Sequence, residues 1–162
     1  MPVTGLRVGQ GCDVHPLVAG RRLVLAGVEI PSGCGLAGHS DADVALHALT
    51  DALLGAIGAG DIGRHFSDRD ARNKDRASSD FVRAAMGHVR ARGYRVVNAD
   101  ITIMAEEPRL APHLEQMSAI VAELLGVTPD AASVKATRGE KLGVIGRGEG
   151  IAAQAIVLLE LE

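Results

Sequence analysis

The spacing of hydrophobic residues along the chain predicts a succession of strands and helices. Residues 5–8 and 22–30 are typical of β-structure and are separated by a loop at 16–20, which indicates two or three strands near the N-terminus. Residues 41–57 carry an apolar stripe at helical spacing, and Ser40 is a suitable N-cap for this helix. The first third of the chain is therefore predicted to contain strands followed by one amphipathic helix.

The rest of the chain mixes helical and strand patterns without strict alternation. Helices are predicted at 79–92 and 112–125, the second ended by Gly126, and strands at 95–104, 132–137 and 150–159. The last strand is apolar on both faces, so its outer face requires cover from a helix or a neighbouring subunit. We predict an α+β fold, a two-layer sandwich in which helices cover one face of a mixed β-sheet.

Length and composition narrow the class of protein. A chain of 162 residues is most simply one domain, residues 1–162, and the polar segment 61–80 is expected to be a mobile, functional surface loop. Lys and Arg total 17 against 20 Asp and Glu, and only one Tyr and two Phe are present, which argues against nucleic-acid binding. No leader pattern or long apolar run occurs, so no membrane contact and a cytoplasmic location are expected. Cys12 and Cys34 are expected to be reduced and buried.

A candidate site begins with Asp13 and His15. On a strand, side chains two residues apart point to the same face, so this pair aims a carboxylate and an imidazole at one point. The alternative is structural: Asp13 accepts backbone hydrogen bonds in a turn and His15 packs beside Pro16. A third ligand elsewhere in the chain would favour a metal site.

The helix at 41–57 offers that third ligand. Asp43, His47 and Asp51 recur every four residues and form a polar ridge, and His47 could reach the pair on the strand. One carboxylate and two imidazoles with an open fourth position are typical of a catalytic zinc site. Asp51 or Asp43 could orient His47. His39 and Ser40 could bind an anion at the start of the helix.

Five motifs in register then identify a family. D13-V-H15, H39-S-D-A-D-V-A-L-H47, D61-I-G63, E140-K-L-G and G146-R-G-E-G150 resemble those of the 2-C-methyl-D-erythritol 2,4-cyclodiphosphate synthase family, over residues 6–160. The resemblance implies a phosphorus–oxygen lyase of the non-mevalonate isoprenoid pathway. In its substrate, 4-diphosphocytidyl-2-C-methyl-D-erythritol 2-phosphate, the 2-phosphate attacks the β-phosphate and expels CMP.

The resemblance also implies cofactors, an assembly and residue roles. It implies one Zn²⁺ on Asp13, His15 and His47, which also places Asp13 and His15 beside the substrate, and Mg²⁺ or Mn²⁺ on Glu140. It implies a homotrimer with sites between adjacent subunits. The implied catalytic residues are His39, Arg138 and Glu140, with Ser40 as a further phosphate contact.

The remaining implied substrate contacts fall into four groups. They are the ribose contacts Asp61, Ile62 and Gly63; the closing loop Phe66, Ser67, Asp68, Arg69 and Asp70; the cytosine walls Ala105, Glu106, Glu107, Pro108, Arg109, Leu110 and Ala111 with Ala136, Thr137, Arg138, Gly139 and Glu140; and two residues near the C-terminus, Val144 at the central trimer cavity and Arg147.

Three positions depart from the family pattern. Arg138 stands where the family commonly has a Thr that contacts phosphate, Arg109 replaces a Lys, and Val144 replaces an aromatic residue. Arg147 and Glu149 match the pattern and are interpreted as a buried ion pair at a subunit interface.

Two other functions remain open on residue types alone. One is a structural zinc clip or regulatory metal-binding module, although such a site normally closes its fourth position with Cys or His. The other is a zinc-dependent phosphohydrolase, in which Asp41, Asp43 or Glu140 would act on a metal-bound water.

Overall fold

A computed structural model describes residues 5–67 and 69–162 of the chain, and its central element is a five-stranded mixed sheet. The strands are β1 (Leu6–Ala19), β2 (Leu23–Leu25), β3 (Val28–Ile30), β4 (Cys34–Leu36), β5 (Tyr94–Met104), β6 (Ala132–Thr137) and β7 (Gly150–Leu161). The main sheet has the order β4–β1–β7–β5–β6, and β2 and β3 form a separate hairpin. Strands β5 and β6 are parallel, whereas the other neighbours are antiparallel.

Helices cover one face of this sheet. They are α1 (Val44–Ala56), α2 (Ile62–His65), α3 (Ser78–Ala91), α4 (Leu114–Leu125) and α5 (Gly143–Gly146). Helix α1 lies across β1 and β7, α3 packs beside α1, and α4 lies against β6. The expected α+β architecture is confirmed, as are the helix at 79–92 and the helix end at Gly126, which has φ 68°.

Strand β1 is much longer than the predicted strand at 5–8. The loop predicted at 16–20 is wrong, because Pro16 ends the pairing with β7 and the strand continues by pairing with β4. The inward face of β1 begins with Gly9 and Gly11. A Cβ atom at Gly9 would lie 1.9 Å from the Ala52 carbonyl oxygen of α1, and one at Gly11 would lie 2.0 Å from the Ala48 carbonyl oxygen. These glycines let the helix backbone approach the strand directly, and Asp13 and His15 follow on the same face.

The start of α1 also differs from the prediction. The N-cap is Asp43, not Ser40, and the Asp43 carboxylate accepts a hydrogen bond from the Leu46 amide at 3.1 Å. Ala42 has φ 57°, which is outside the helical region, so the helix cannot extend back to Ser40. The fully buried Asp43 also accepts from the Ala26 and Gly27 amides, at 2.9 and 2.7 Å, and so joins α1 to the β2–β3 turn.

The outer face of the sheet carries uncovered apolar side chains. Val8, Val14 and Ile156 are 69%, 58% and 46% exposed. Cys12 lies on this face because it alternates with Asp13, so the expectation that it is buried is wrong; Cys34 is only partly buried. Among the described residues, no helix combines the length and the apolar character needed to cross a membrane.

Candidate metal centre and substrate clefts

Strand β1 and helix α1 bring three potential metal ligands together. Asp13 Oδ2 lies 2.8 Å from His15 Nε2 and 3.0 Å from His47 Nδ1, and the two imidazole nitrogens are 3.2 Å apart. Asp13 and His15 share a face of β1, whereas His47 lies on the first turn of α1, next to the glycines of the strand. The three side chains form a candidate metal site.

Hydrogen bonds outside this cluster select the nitrogen that each histidine directs inward. His15 Nδ1 donates to the Ala37 carbonyl oxygen at 2.8 Å, which directs Nε2 at Asp13 and makes Nε2 the nitrogen that can bind a metal once it loses its proton. His47 Nε2 points away from the cluster towards the hydroxyls of Ser78, at 2.9 Å, and Ser40, at 3.1 Å. Both rings therefore direct one unprotonated nitrogen at the same point when a metal binds.

The electrostatics of the cluster match this arrangement. Burial opposes ionisation of Asp13, but hydrogen bonds from His15 and His47 hold the pKa of its carboxyl far below the usual range. The hydrogen bond to the Asp13 carboxylate, partly opposed by burial, raises the pKa of His15. Asp13 is thus an anion in the folded chain, and a bound cation can replace the proton of His15.

The donor set fits a zinc ion. Tetrahedral zinc with bonds of about 2.0–2.1 Å needs ligand atoms about 3.3 Å apart. The three donors are already 2.8–3.2 Å apart, so small movements suffice. They also open into a cleft, which leaves a fourth position for a phosphate oxygen or a water molecule.

That cleft has a volume of about 460 Å³ and combines polar and apolar walls. Besides Asp13, His15 and His47, which are called the metal triad below, it is lined by Gly38, His39, Ser40, Asp51, Gly63, Asn73 and the apolar side chains Ile62, Phe66 and Phe81. The rings of Phe66 and Phe81 lie 4.7 Å apart between their centroids. The cleft can therefore accept a phosphate next to the triad and a small carbon skeleton against the aromatic wall.

The predicted carboxylate partners of His47 are wrong. Asp43 binds backbone amides of α1 and the β2–β3 turn, and Asp51 accepts from the Ile62 amide at 2.7 Å, so neither carboxylate orients His47. The Leu46 amide at the start of α1 is already bound by Asp43.

A second cleft of about 580 Å³ contains the predicted cytosine walls. Residues 105–111 and 136–138 line it. Arg138 Nη2 lies 3.3 Å from a carboxylate oxygen of Glu106 and 3.4 Å from one of Glu107. The Gly139 amide donates to the other oxygen of Glu106 at 3.0 Å. No described residue lines both clefts, so a single chain does not bring the metal triad and the cytosine walls into one pocket.

The other predicted contacts lie in loops and short helices. Asp61 caps α2 by accepting from the Arg64 amide at 2.9 Å. In the predicted closing loop, Ser67 accepts from the Arg69 amide, and Asp70 accepts from the amide and guanidinium of Arg72. Asp68, also predicted to contact substrate, lies outside the described residues.

The predicted residues near the C-terminal glycines are exposed. Glu140 has φ 51° and lies outside the metal triad, and Val144 is 49% exposed on α5. Arg147 Nε donates to Glu149 at 2.6 Å, so the two residues pair, but both side chains are exposed in the single chain, and their burial at a subunit interface stays a prediction.

Sequence reasoning missed three residues that either line the metal cleft or contact His47 from behind it. Ser78 contacts His47, and Asn73 and Phe81 line the walls. All three follow the motif that supplies His47 by more than 20 residues and carry no spacing signal of their own.

Comparison with known proteins identifies the family to which the chain is similar. A model of the YgbB family matches residues 6–160. The 2-C-methyl-D-erythritol 2,4-cyclodiphosphate synthase of Geobacillus kaustophilus is 59% identical over 154 residues, which are 95% of this chain and 98% of that protein.

Solved structures agree with this match. A CDP-bound form of 2C-methyl-D-erythritol-2,4-cyclodiphosphate synthase has a TM-score of 0.88 and 40% identity, over 95% of this chain and all of that one. The CDP complex of IspF from Plasmodium falciparum has a TM-score of 0.86 and 31% identity, over 99% of both chains. The chain therefore belongs to the YgbB family of 2-C-methyl-D-erythritol 2,4-cyclodiphosphate synthases.

Proposed function

We propose that this chain, as one catalytic domain, converts 4-diphosphocytidyl-2-C-methyl-D-erythritol 2-phosphate to 2-C-methyl-D-erythritol 2,4-cyclodiphosphate and CMP. Two bacterial synthases of this name are 59% identical to it over 95% of its length. The structural observation that carries the proposal is the convergence of Asp13, His15 and His47 at an open cleft with polar and aromatic walls.

In this reaction the protein has to position the two phosphate groups of the substrate and neutralise their negative charge. An oxygen of the 2-phosphate forms a bond to the β-phosphorus, and the bond from that phosphorus to the oxygen of CMP breaks. The attacking phosphate is already ionised near neutral pH, so no side chain has to remove a proton from it. Such a reaction is accelerated when both phosphates are held in line and their negative charge is neutralised.

The residues of the metal cleft suit this task. Zinc on the triad, together with Mg²⁺ or Mn²⁺ on Glu140, would supply a template and Lewis-acid stabilisation for the phosphates. His39 and Ser40 lie on the wall of the same cleft and can donate hydrogen bonds to phosphate oxygens. Phe66 and Ile62 can exclude water from the methylerythritol carbons.

The cytidine end of the substrate would lie in the second cleft. Backbone groups at 105–111 can read the edge of the base, and Arg109 and Arg138 add positive charge near the diphosphate. Asp61 and Gly63 are proposed to contact the ribose. A CDP-bound synthase among the related structures supports a cytidine nucleotide as the ligand.

A homotrimer would unite the two clefts. Each chain separates the metal triad from the cytosine walls, and a neighbouring subunit would complete the site. The exposed valines and isoleucine on the outer face of β1 and β7 provide an apolar surface that association would bury. Sedimentation in solution should give three times the 16.8 kDa chain mass. The cytoplasm is the proposed location, in keeping with a nucleotide substrate.

The alternative functions are not favoured. A structural zinc site needs a fourth protein ligand, but Cys12 lies on the opposite face of β1. Hydrolysis uses the same ligand types, but relatives at 55–59% identity are named as the cyclising synthase.

The test is CMP release by the purified chain in the presence of Zn²⁺ and Mg²⁺, compared with the variants His47→Ala and His88→Ala. His47→Ala should lose zinc and at least 99% of the activity. His88 is an exposed histidine of α3 and provides the matched control, which should retain both. Equal activity of His47→Ala and the wild-type chain would remove the triad from the mechanism.

A further inference from the structure

We infer that Ser78 and Asp41 position the zinc ligand His47 through a directed chain of two hydrogen bonds. The inference rests on the proposed function, because it concerns the metal site of that function. It assigns a role to a serine at the start of α3 and to a carboxylate between Ser40 and the N-cap of α1. Both act through His47 and are positioning residues.

The proton on His47 has only one place when a metal is bound. His47 Nδ1 faces Asp13 and His15, at 3.0 and 3.2 Å, and must be unprotonated to serve as a ligand. The proton therefore lies on Nε2. The hydroxyl oxygen of Ser78 is 2.9 Å from Nε2, on the side away from the triad.

Asp41 sets the direction in which the Ser78 hydroxyl donates. Ser78 Oγ lies within hydrogen-bond distance of Asp41 Oδ1, and an ionised carboxylate can only accept. The hydroxyl proton of Ser78 thus goes to Asp41, which leaves its oxygen lone pair for the Nε2 proton of His47. Asp41 is itself held by the amides of Ser78 and Asp43, each at 3.1 Å.

Burial makes this chain of hydrogen bonds restrictive. Ser78 is completely buried, so water cannot replace either of its partners. The chain also links α1 to the start of α3, where the polar segment 61–80, predicted to be a functional loop, ends. Through it, the end of that loop and the orientation of the metal ligand are mechanically connected.

Ser40 is the competing partner, and the geometry assigns it a different task. Its hydroxyl oxygen is 3.1 Å from His47 Nε2, longer than the Ser78 contact, and it already accepts from the Ala42 amide at 3.1 Å. The single Nε2 proton points best at the oxygen that a carboxylate polarises. The hydroxyl proton of Ser40 then remains free to donate into the cleft, where Ser40 is proposed to contact phosphate.

The experiment measures zinc affinity by chelator competition on the full-length chain. Partners of this kind typically change metal affinity 10- to 100-fold. Ser78→Ala and Asp41→Asn should each weaken zinc binding by that factor, and the double variant should be no weaker than the worse single one, because the two groups act as one chain. Ser79→Ala is the matched control, since Ser79 faces Arg83, and it should bind within about threefold of wild type.

Asp41→Asn is the decisive variant because it preserves side-chain volume. Its amide can donate to Ser78, which turns the serine hydroxyl towards His47 Nε2 and favours the tautomer that cannot bind zinc through Nδ1. Wild-type zinc affinity in Asp41→Asn would overturn the inference even if Ser78→Ala did not fold, and so would strictly additive effects. A wild-type chain that binds no zinc would overturn both this inference and the proposed metal site.

Discussion

Replacing Gly11 with Ala should destabilise the fold and disturb the metal triad together. The added Cβ would lie 2.0 Å from the Ala48 carbonyl oxygen and 2.8 Å from the Ala52 amide nitrogen. Both neighbours are backbone atoms, so no side-chain rotation can relieve the contact. An ordinary separation is about 3.5 Å, so α1 must withdraw from β1 by about 1.5 Å.

The size of this shift sets the magnitude of the effect. Overpacking of a core typically costs about 1–3 kcal/mol, and a backbone contact belongs at the upper end, so we expect about 3 kcal/mol. His47 precedes Ala48 on the same helix and moves with it. Metal–ligand distances tolerate only about 0.2 Å of error, so zinc affinity should also fall at least tenfold.

Urea unfolding followed by circular dichroism measures the first effect, with zinc removed and the chain concentration fixed, because bound metal and association change apparent stability. Gly87→Ala is the control. Gly87 lies in α3 with nothing within 4 Å of the added Cβ, so alanine should stabilise the helix by about 0.5–1 kcal/mol. A Gly11→Ala variant as stable as wild type would refute the close approach of α1 and β1.

Three further changes follow from the structure. Zinc affinity should rise as the pH increases through the raised pKa of His15, because at lower pH zinc must displace the proton of this imidazole. Isothermal titration at several pH values measures the affinity, and an affinity that does not rise with pH would contradict the reasoning. Asp43→Ala leaves three amides without an acceptor and should cost about 3 kcal/mol or more at pH 8 in urea unfolding, whereas Asp43→Asn should cost less. Burial raises the pKa of Asp43 to about 6. The part of the stability that depends on protonation of Asp43 is therefore present below pH 4 and lost as the pH rises through 6, while its hydrogen bonds to the three amides persist at pH 8; the pH slope should vanish in Asp43→Asn. Arg138→Glu should lower kcat/KM for CMP release at least tenfold while Arg138→Thr stays near wild type, and equal activity of all three would exclude a phosphate contact.

The metal ligands were the part of the site most accessible from sequence. Asp13 and His15 follow the two-residue period of a strand and His47 follows helical spacing, so each element presents its candidate ligands on one face, and the packing of α1 on β1 brings the two faces together. The glycines that let α1 approach β1 carry no chemical signal, because their contribution is the absence of a side chain. Ser78 could not be found either, since it lies 31 residues from His47 and meets it only after folding.

Errors in the fold prediction had local causes. Ser40 and Asp43 are both good N-caps, and only the positive φ of Ala42 decides between them. Pro16 suggested the end of a strand, but the strand changes partner at that point instead of ending. The sequence correctly predicted that the last strand is apolar on both faces. The proposed trimer explains this pattern, because a neighbouring subunit would cover the outer face.

The most direct test of the central claim is phosphorus NMR of the products formed from 4-diphosphocytidyl-2-C-methyl-D-erythritol 2-phosphate by the zinc-loaded protein with Mg²⁺. Cyclisation predicts two coupled diphosphate resonances from a ring and an equal amount of CMP. Linear phosphate products, or unchanged substrate with zinc still bound, would contradict the proposal that this chain is a cyclising synthase.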